Sequence, residues 1–142
     1  MKYPMHILLV DDNEGDVELT RIAFEENDLP AMVTVAHDGA EALDYLFCHQ
    51  EGESAPDLIL LDLNMPRVNG REFLDAIKQD AQMQRIPVVI LTGCKASSDI
   101  MESYKRDANC YVLKPSSLDA YIAMAKKIEE FWTKTVQLPR KA

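Results

Sequence analysis

Short apolar runs recur along the chain, and each run stops at a polar or turn-forming residue. Five of them have the length of buried strands, and they cover residues 6–10, 32–36, 58–61, 86–91 and 109–113. Uninterrupted apolar runs of this kind are typical of strands that are covered on both faces, as in a parallel sheet. The pattern therefore predicts five strands buried in one sheet.

The segments between these strands carry apolar residues at the spacing of amphipathic helices. The five predicted helices cover residues 17–24, 42–46, 70–81, 97–105 and 116–132. Ser97 or Ser98 is expected to cap the fourth helix, and the fifth is expected to begin near Ser116 or Ser117. Strands and helices alternate with short connections, so the predicted fold class is α/β, a doubly wound five-stranded parallel sheet.

The composition indicates one globular domain. Of the 142 residues, 47% are apolar and 27% are charged, and both values are ordinary for a folded protein. We expect a single domain over residues 1–142, with its core over about residues 6–131 and a C-terminal tail over about residues 133–142. We expect no separate output domain.

Charge and run length argue against two kinds of partner. A net charge of −9 argues against binding to nucleic acid, which requires clustered Lys and Arg. No apolar run approaches the roughly 20 residues of a membrane helix, and the first residues lack the apolar segment of a signal peptide. Three cysteines without CxxC spacing indicate reduced thiols. We therefore expect a cytoplasmic protein that binds neither nucleic acid nor a membrane.

Side chains able to bind ions or phosphate follow four of the predicted strands. Asp11 and Asp12 follow the first strand, Asp62 the third, Thr92 the fourth and Lys114 the fifth. Because the carboxyl ends of parallel strands meet at one edge of the sheet, these side chains are expected to share one crevice. Each also has an ordinary alternative, since an Asp suits the start of a turn and two acids suit a helix N-terminus.

Three carboxylates in one crevice repel each other unless a cation lies among them. Mg²⁺ is the expected ion, because it binds one or two carboxylates and keeps positions for a phosphoryl oxygen. The Thr92 hydroxyl and the Lys114 ammonium also suit phosphoryl oxygens. The set favours a site at which a carboxylate attacks phosphorus and becomes an acyl phosphate, with Asp62 as the nucleophile.

In these residues the chain resembles the receiver domain of two-component response regulators. The resemblance rests on Asp11-Asp12, on Leu60-Leu61-Asp62-Leu63-Asn64-Met65-Pro66 with Gly70, on Thr92-Gly93 and on Lys114-Pro115, in that order. It runs from about His6 to about Phe131. It implies a flavodoxin-like (βα)5 receiver fold and a phosphorelay signalling protein, not an enzyme beyond its own phosphorylation and dephosphorylation.

The resemblance implies a role for each acidic residue of the site. Asp62 resembles the phosphoacceptor of the family, Asp12 a direct magnesium ligand and Asp11 its outer-shell helper. Asn64 resembles the residue that lends a backbone carbonyl to the ion, and its position is one that influences hydrolysis of the acyl phosphate. The implied metal site thus consists of Asp11, Asp12, Asp62 and Asn64.

The resemblance also implies a switch. Thr92 resembles the switch hydroxyl of the family, Lys114 its lysine and Tyr111 its rotating aromatic residue, and the peptide bond before Pro115 would be cis. One departure is Gly93, where many receivers have alanine, and this glycine leaves more room beside the phosphoryl group.

The loop sequences and the C-terminal sequence resemble one particular group within this family. Residues 11–16, 65–70 and 92–94 and the ending at residues 131–139 are similar to those of small regulators that partner phytochrome histidine kinases. This similarity implies a phytochrome-type histidine kinase as the phosphoryl donor. The signal would then pass by protein contact to a downstream protein that the sequence leaves unidentified.

The last predicted helix and the tail carry more large apolar residues than one core face requires. They are Tyr121, Met124, Ile128, Phe131, Trp132, Val136 and Leu138. We expect a two-fold homodimer through the fourth helix, the fifth strand, the fifth helix and the tail, as the phytochrome-linked relatives also suggest.

Three other classes of protein share parts of this pattern. A flavodoxin-like flavin binder needs a phosphate-cradling loop after the first strand, but residues 11–14 there are acidic or amide side chains. An Asp-nucleophile phosphatase of the haloacid dehalogenase class resembles a DxD pattern, whereas Asp11 and Asp12 are adjacent and no Asp occupies position 64. A docking module that uses the fold without phosphorylation is the third alternative.

Overall fold

A computed structural model describes residues 5–26, 31–48, 55–63, 65, 68–93, 97–106, 108–136 and 138. Strands and helices alternate, starting with β1 (Met5–Val10), α1 (Glu14–Glu25), β2 (Ala31–Ala36), α2 (Gly39–Cys48), β3 (Leu58–Leu61) and α3 (Gly70–Lys78). A 3-10 turn (Met83–Arg85), β4 (Val88–Thr92), α4 (Ser97–Lys105), β5 (Cys110–Leu113), α5 (Leu118–Glu130) and a π-helical turn (Phe131–Thr135) complete the order.

The five strands form one parallel sheet in the order β2-β1-β3-β4-β5. Two buried apolar clusters cover its faces, one with residues of α2 and α3 and the other with residues of α1 and α5. The predicted α/β fold class and doubly wound sheet are therefore confirmed. None of the helices in the described ranges is long and apolar enough to cross a membrane.

Polar side chains decide where two of the predicted helices begin. The Asn69 side chain accepts a hydrogen bond from the Glu72 N–H and Glu72 bonds back to Asn69, so a capping box starts α3. The Ser117 hydroxyl caps α5 by accepting from the Ala120 N–H at 3.2 Å, which confirms one of the two predicted start positions.

The predicted bounds of α4 are confirmed, whereas one boundary each of α3 and β4 is wrong. Helix α4 covers Ser97–Lys105, and its expected cap by Ser97 or Ser98 stays a prediction. Helix α3 ends at Lys78, because the Asp80 side chain accepts hydrogen bonds from two following N–H groups and begins the 3-10 turn instead. Strand β4 begins at Val88, because the Ile86 N–H closes that turn on Met83.

The C-terminal end packs into the core. Tyr121, Ile128 and Trp132 are 1%, 7% and 9% exposed, and Leu138 joins the same buried cluster. The prediction of a surplus apolar surface is therefore wrong for Tyr121 and Leu138, because the core includes them, whereas Ile128 and Trp132 form part of the core face of the last helix. Phe131 is 46% exposed and stays on the surface.

Candidate functional site

The carboxyl ends of β1 and β3 place two acids side by side. Val10 pairs with Leu61 in the sheet, and the next residues along the two strands are Asp11 and Asp62. The backbone N–H of Asp62 donates to the Val10 carbonyl at 2.9 Å, which extends the pairing by one step. Both carboxylates are buried, so any charge on them requires a partner.

Asp11, Asp12 and Asp62 form a carboxylate cluster that suits a divalent cation. One ligand oxygen from each of the three lies within 4.8 Å of the others, and Asp12 is exposed while the other two are buried. Burial raises the pKa of the Asp11 carboxyl, and a hydrogen bond from Lys114 offsets part of that rise. An all-oxygen set with one open side is what a hard divalent ion requires.

Strand β4 brings Thr92 to the same edge. Its hydroxyl donates to Asp62 Oδ1 at 2.7 Å, and the threonine is buried. Thr92 is the last residue of β4 rather than the first residue beyond it, and its carbonyl accepts the backbone N–H of Lys114 at 2.9 Å. The fourth and fifth strands therefore hold their two functional residues in register.

The Lys114 ammonium lies among three carboxylates. Its Nζ is 2.8 Å from Asp11 Oδ2, 2.8 Å from Asp16 Oδ2 and 3.1 Å from Asp62 Oδ2. Burial alone would lower the pKa of Lys114, but the hydrogen bonds to Asp11 and Asp16 outweigh burial and raise that pKa. Both oxygens of Asp62 are thus held, Oδ1 by Thr92 and Oδ2 by this lysine.

Asp16 also belongs to this group of side chains, although the sequence did not predict it. It lies in the first turn of α1, where Asn13 caps the helix, and an acid there looks like an ordinary helix-terminal residue. Asp16 and Lys114 are 98 positions apart in the chain. Only the number of acids within residues 11–16 gave a sequence signal.

The two remaining predicted residues are Tyr111 and Asn64. Tyr111 is half-buried on β5, packs against the apolar cluster of α2 and α3, and donates its backbone N–H to the Tyr104 hydroxyl of α4 at 3.2 Å. Asn64 lies outside the residues that the structure describes. The parts predicted for Tyr111 and Asn64 stay predictions.

Gly70, the first residue of α3, packs against the backbone of Asp62 and Leu63. The Gly70 N–H donates to the Leu63 carbonyl at 3.1 Å, so the start of α3 folds back against the end of β3. A Cβ atom at this position would lie 2.6 Å from Leu63 Cα and 2.7 Å from the Asp62 carbonyl oxygen. Only glycine allows this approach, which sets the position of the Asp62 backbone.

This fold and this site define a receiver domain. The chain belongs to the response regulator receiver domain family, which it matches over residues 7–126, and it is therefore a response regulator of the two-component type. The family match argues against the flavin-binding and phosphatase alternatives. The expected flavodoxin-like receiver fold is confirmed by the structural neighbours.

The chain is similar to particular regulators over nearly all of its length. Response regulator Rcp1 from Synechocystis sp. is 39% identical over 138 residues, which cover 96% of this chain and 94% of Rcp1. The crystal structure of the phosphorylated cyanobacterial phytochrome response regulator RcpA has 43% identity and a TM-score of 0.86, covering 96% of this chain and 99% of RcpA. The Mn²⁺-bound form of Rcp1 has a TM-score of 0.82 at 39% identity, covering 96% and 99%.

Proposed function

We propose that Asp62 accepts a phosphoryl group from a phosphohistidine of a phytochrome-type histidine kinase. The observation that carries this proposal is the fixed position of both Asp62 oxygens beside two further acids. Support for the kinase type comes from the similarity to RcpA and Rcp1. The cytoplasmic location expected from the sequence stays a prediction.

The proposed transfer is a displacement reaction at the phosphorus atom. An Asp62 oxygen forms the new O–P bond, the N–P bond of the phosphohistidine breaks, and the histidine nitrogen keeps the bonding electron pair. Thr92 and Lys114 are placed to donate hydrogen bonds to oxygens of the phosphoryl group. The acyl phosphate forms without a separate enzyme, because the accepting chain supplies these groups itself.

Asp11, Asp12 and Asp62 would hold Mg²⁺ in this protein. A divalent ion bound there neutralises the clustered carboxylates and the charge that develops on the phosphoryl oxygens. The Mn²⁺-bound form of Rcp1 supports a divalent ion at such an acidic pocket. Incubation with acetyl phosphate and MgCl₂, followed by intact mass spectrometry, tests the proposed function: an unchanged mass contradicts it.

We expect Thr92→Ala to separate phosphorylation from its structural response. The variant keeps Asp62 and Lys114, so it still gains a phosphoryl group, but it loses the hydroxyl that would follow the phosphoryl oxygens inward. Loss of one hydrogen bond to a charged group shifts the two-state population by about tenfold. Amide chemical shifts of residues 110–121, recorded with and without acetyl phosphate, measure the response.

Thr135→Ala is the matched control for that experiment, because Thr135 is exposed in the π-helical turn. The control should respond like the wild type. Equal shift changes in phosphorylated wild type and Thr92→Ala would disprove the coupling.

A face formed by α4, β5 and α5 is proposed as the dimer interface and the signalling surface. It exposes Met101 (63%), Tyr104 (48%), Leu113 (41%) and Leu118 (39%), and Phe131 lies just beyond α5. Exposed apolar groups in such number mark a contact surface. The downstream partner would bind the same face. Because this face is also the one expected to move on phosphorylation, phosphorylation should change the affinity of self-association.

Met101→Glu should weaken self-association by at least about tenfold, because it places a charge where the partner's apolar surface would pack. Sedimentation velocity over a range of concentrations, with and without acetyl phosphate, measures this. Phe47→Glu is the control, since Phe47 is 60% exposed on α2, away from this face. Wild-type protein that stays monomeric at high micromolar concentration in both states would refute the dimer.

A further inference from the structure

Lys114 has one carboxylate partner that is not part of the cation cluster. The ammonium has three N–H donors. Its nitrogen lies within hydrogen-bond distance of three carboxylates, those of Asp11, Asp16 and Asp62. Asp11 and Asp62 also belong to the carboxylate cluster with Asp12, whereas Asp16 does not. A cation bound at the cluster would therefore not compete directly for Asp16, and Lys114 would keep this partner.

A divalent cation at the cluster would compete with the ammonium for the negative charge of Asp11 and Asp62. It would weaken the attraction of these two acids for Lys114 and would repel the ammonium directly. A lysine held only by those two acids would then be driven out towards solvent. A lysine that is also held by Asp16, with 2.8 Å between Nζ and Oδ2, keeps one strong contact.

Hydrogen bonds fix the backbone of Asp16 in the first turn of α1. Its backbone N–H donates to the Asn13 side chain at 2.9 Å, and its carbonyl accepts from the Thr20 hydroxyl at 2.8 Å. Helix α1, which carries Asp16, packs along α5. Across that contact, Asp16 interacts with the hydroxyl of buried Tyr121, whose pKa is raised to about 12 by burial first and by the charge of Asp16 next.

We propose that Asp16 is a positioning residue: it keeps the Lys114 ammonium beside Asp62 while a divalent cation occupies the carboxylate cluster. The lysine is then already in place to donate to the phosphoryl group when Asp62 attacks. The Nζ lies 3.1 Å from Asp62 Oδ2 and so needs little movement to reach an oxygen of a phosphoryl group bound there. This inference rests on the proposed phosphoacceptor function.

The first measurement is cation affinity, which requires no phosphoryl transfer. In Asp16→Asn the ammonium keeps, among the described residues, only the carboxylates of Asp11 and Asp62 as charged partners, so it competes harder with the cation for those two. We expect isothermal titration with MnCl₂ to show about fivefold weaker binding than in the wild type. Glu18→Gln removes an equal charge from an exposed position on the same helix and should bind Mn²⁺ like the wild type.

A double-mutant cycle separates positioning from a structural or purely electrostatic effect. In a Lys114→Met background there is no ammonium to restrain, so Asp16→Asn should change Mn²⁺ affinity by less than about twofold. An equal loss in both backgrounds would show that Asp16 acts on the cation itself, and an unchanged affinity in the single variant would also overturn the proposal. Thermal unfolding without cation verifies that each variant is folded.

The second measurement is the rate of phosphorylation by acetyl phosphate at saturating MgCl₂. We expect Asp16→Asn to react about tenfold more slowly, because its lysine is displaced once the cation is bound. Asp16→Glu, which restores a carboxylate, should recover most of the rate, and it carries the test if Asp16→Asn fails to fold. A wild-type rate in Asp16→Asn overturns the proposal, whereas an unreactive wild type refutes the phosphoacceptor function and leaves the Mn²⁺ result to decide the role of Asp16.

Discussion

Asp62→Asn should abolish the mass gain of one phosphoryl group that we expect in the wild type with acetyl phosphate and MgCl₂. Asparagine keeps the size of the side chain but lacks a carboxylate oxygen that can attack phosphorus. Thr92 and Lys114 both point to Asp62, so no neighbouring acid has the same set of donors among the described residues. Intact mass measured over a time course decides the result.

Two controls make that experiment specific. Asp44→Asn removes an exposed acid from α2 and should gain the phosphoryl group like the wild type. Addition of a chelator to the wild type should suppress the reaction, because the carboxylate cluster would lose its cation. Phosphorylation of Asp62→Asn, or a reaction indifferent to chelator, would show that the site is assigned wrongly. Unchanged partner binding by Asp62→Asn would favour the docking-module alternative.

Gly70→Ala should impair both stability and phosphorylation. The added methyl group would meet the Leu63 Cα at 2.6 Å and the Asp62 carbonyl oxygen at 2.7 Å, and backbone atoms cannot move aside as a flexible side chain can. The clash should cost about 2 kcal/mol of unfolding free energy and lower Tm by about 4–8 °C. Displacement of the Asp62 backbone should slow phosphorylation on the order of tenfold to a hundredfold.

Gly93→Ala is the matched control for this prediction. Among the described residues, apart from the chain neighbours of Gly93, no atom lies within 4 Å of a Cβ built at this glycine, which follows Thr92 directly. We expect its Tm to remain within about 2 °C of the wild type. Differential scanning calorimetry of the three proteins gives the comparison, and a Gly70→Ala variant as stable as Gly93→Ala would contradict the close approach.

The strands were predictable because a strand buried on both faces leaves an uninterrupted apolar run. Leu58–Leu61 has the bounds expected for it, and each residue of that strand is buried. Boundaries set by side-chain hydrogen bonds were less predictable. Asp80 ends α3 early by binding two N–H groups, and nothing in the apolar spacing distinguishes this acid from an exposed one.

The site was predictable wherever strand ends determine it. Asp11, Asp62, Thr92 and Lys114 follow or end strands, and parallel pairing brings such positions together. Asp16 was not predictable in this way, because its contact depends on the length of a lysine side chain that reaches across to the first turn of α1. The burial of Leu138 was missed for a related reason, since the π-helical turn that redirects the chain has no apolar period of its own.

The contacts at Asp62 also link function to folding. Thr92 and Asp62 are 30 positions apart, Lys114 and Asp62 are 52 apart, and Lys114 and Asp16 are 98 apart. Closing such long loops is unfavourable until the whole sheet has paired, so a partly folded chain holds the acceptor aspartate without its donors. The proposed phosphorylation of Asp62 would therefore require complete folding, because a nascent or misfolded copy would lack these donors.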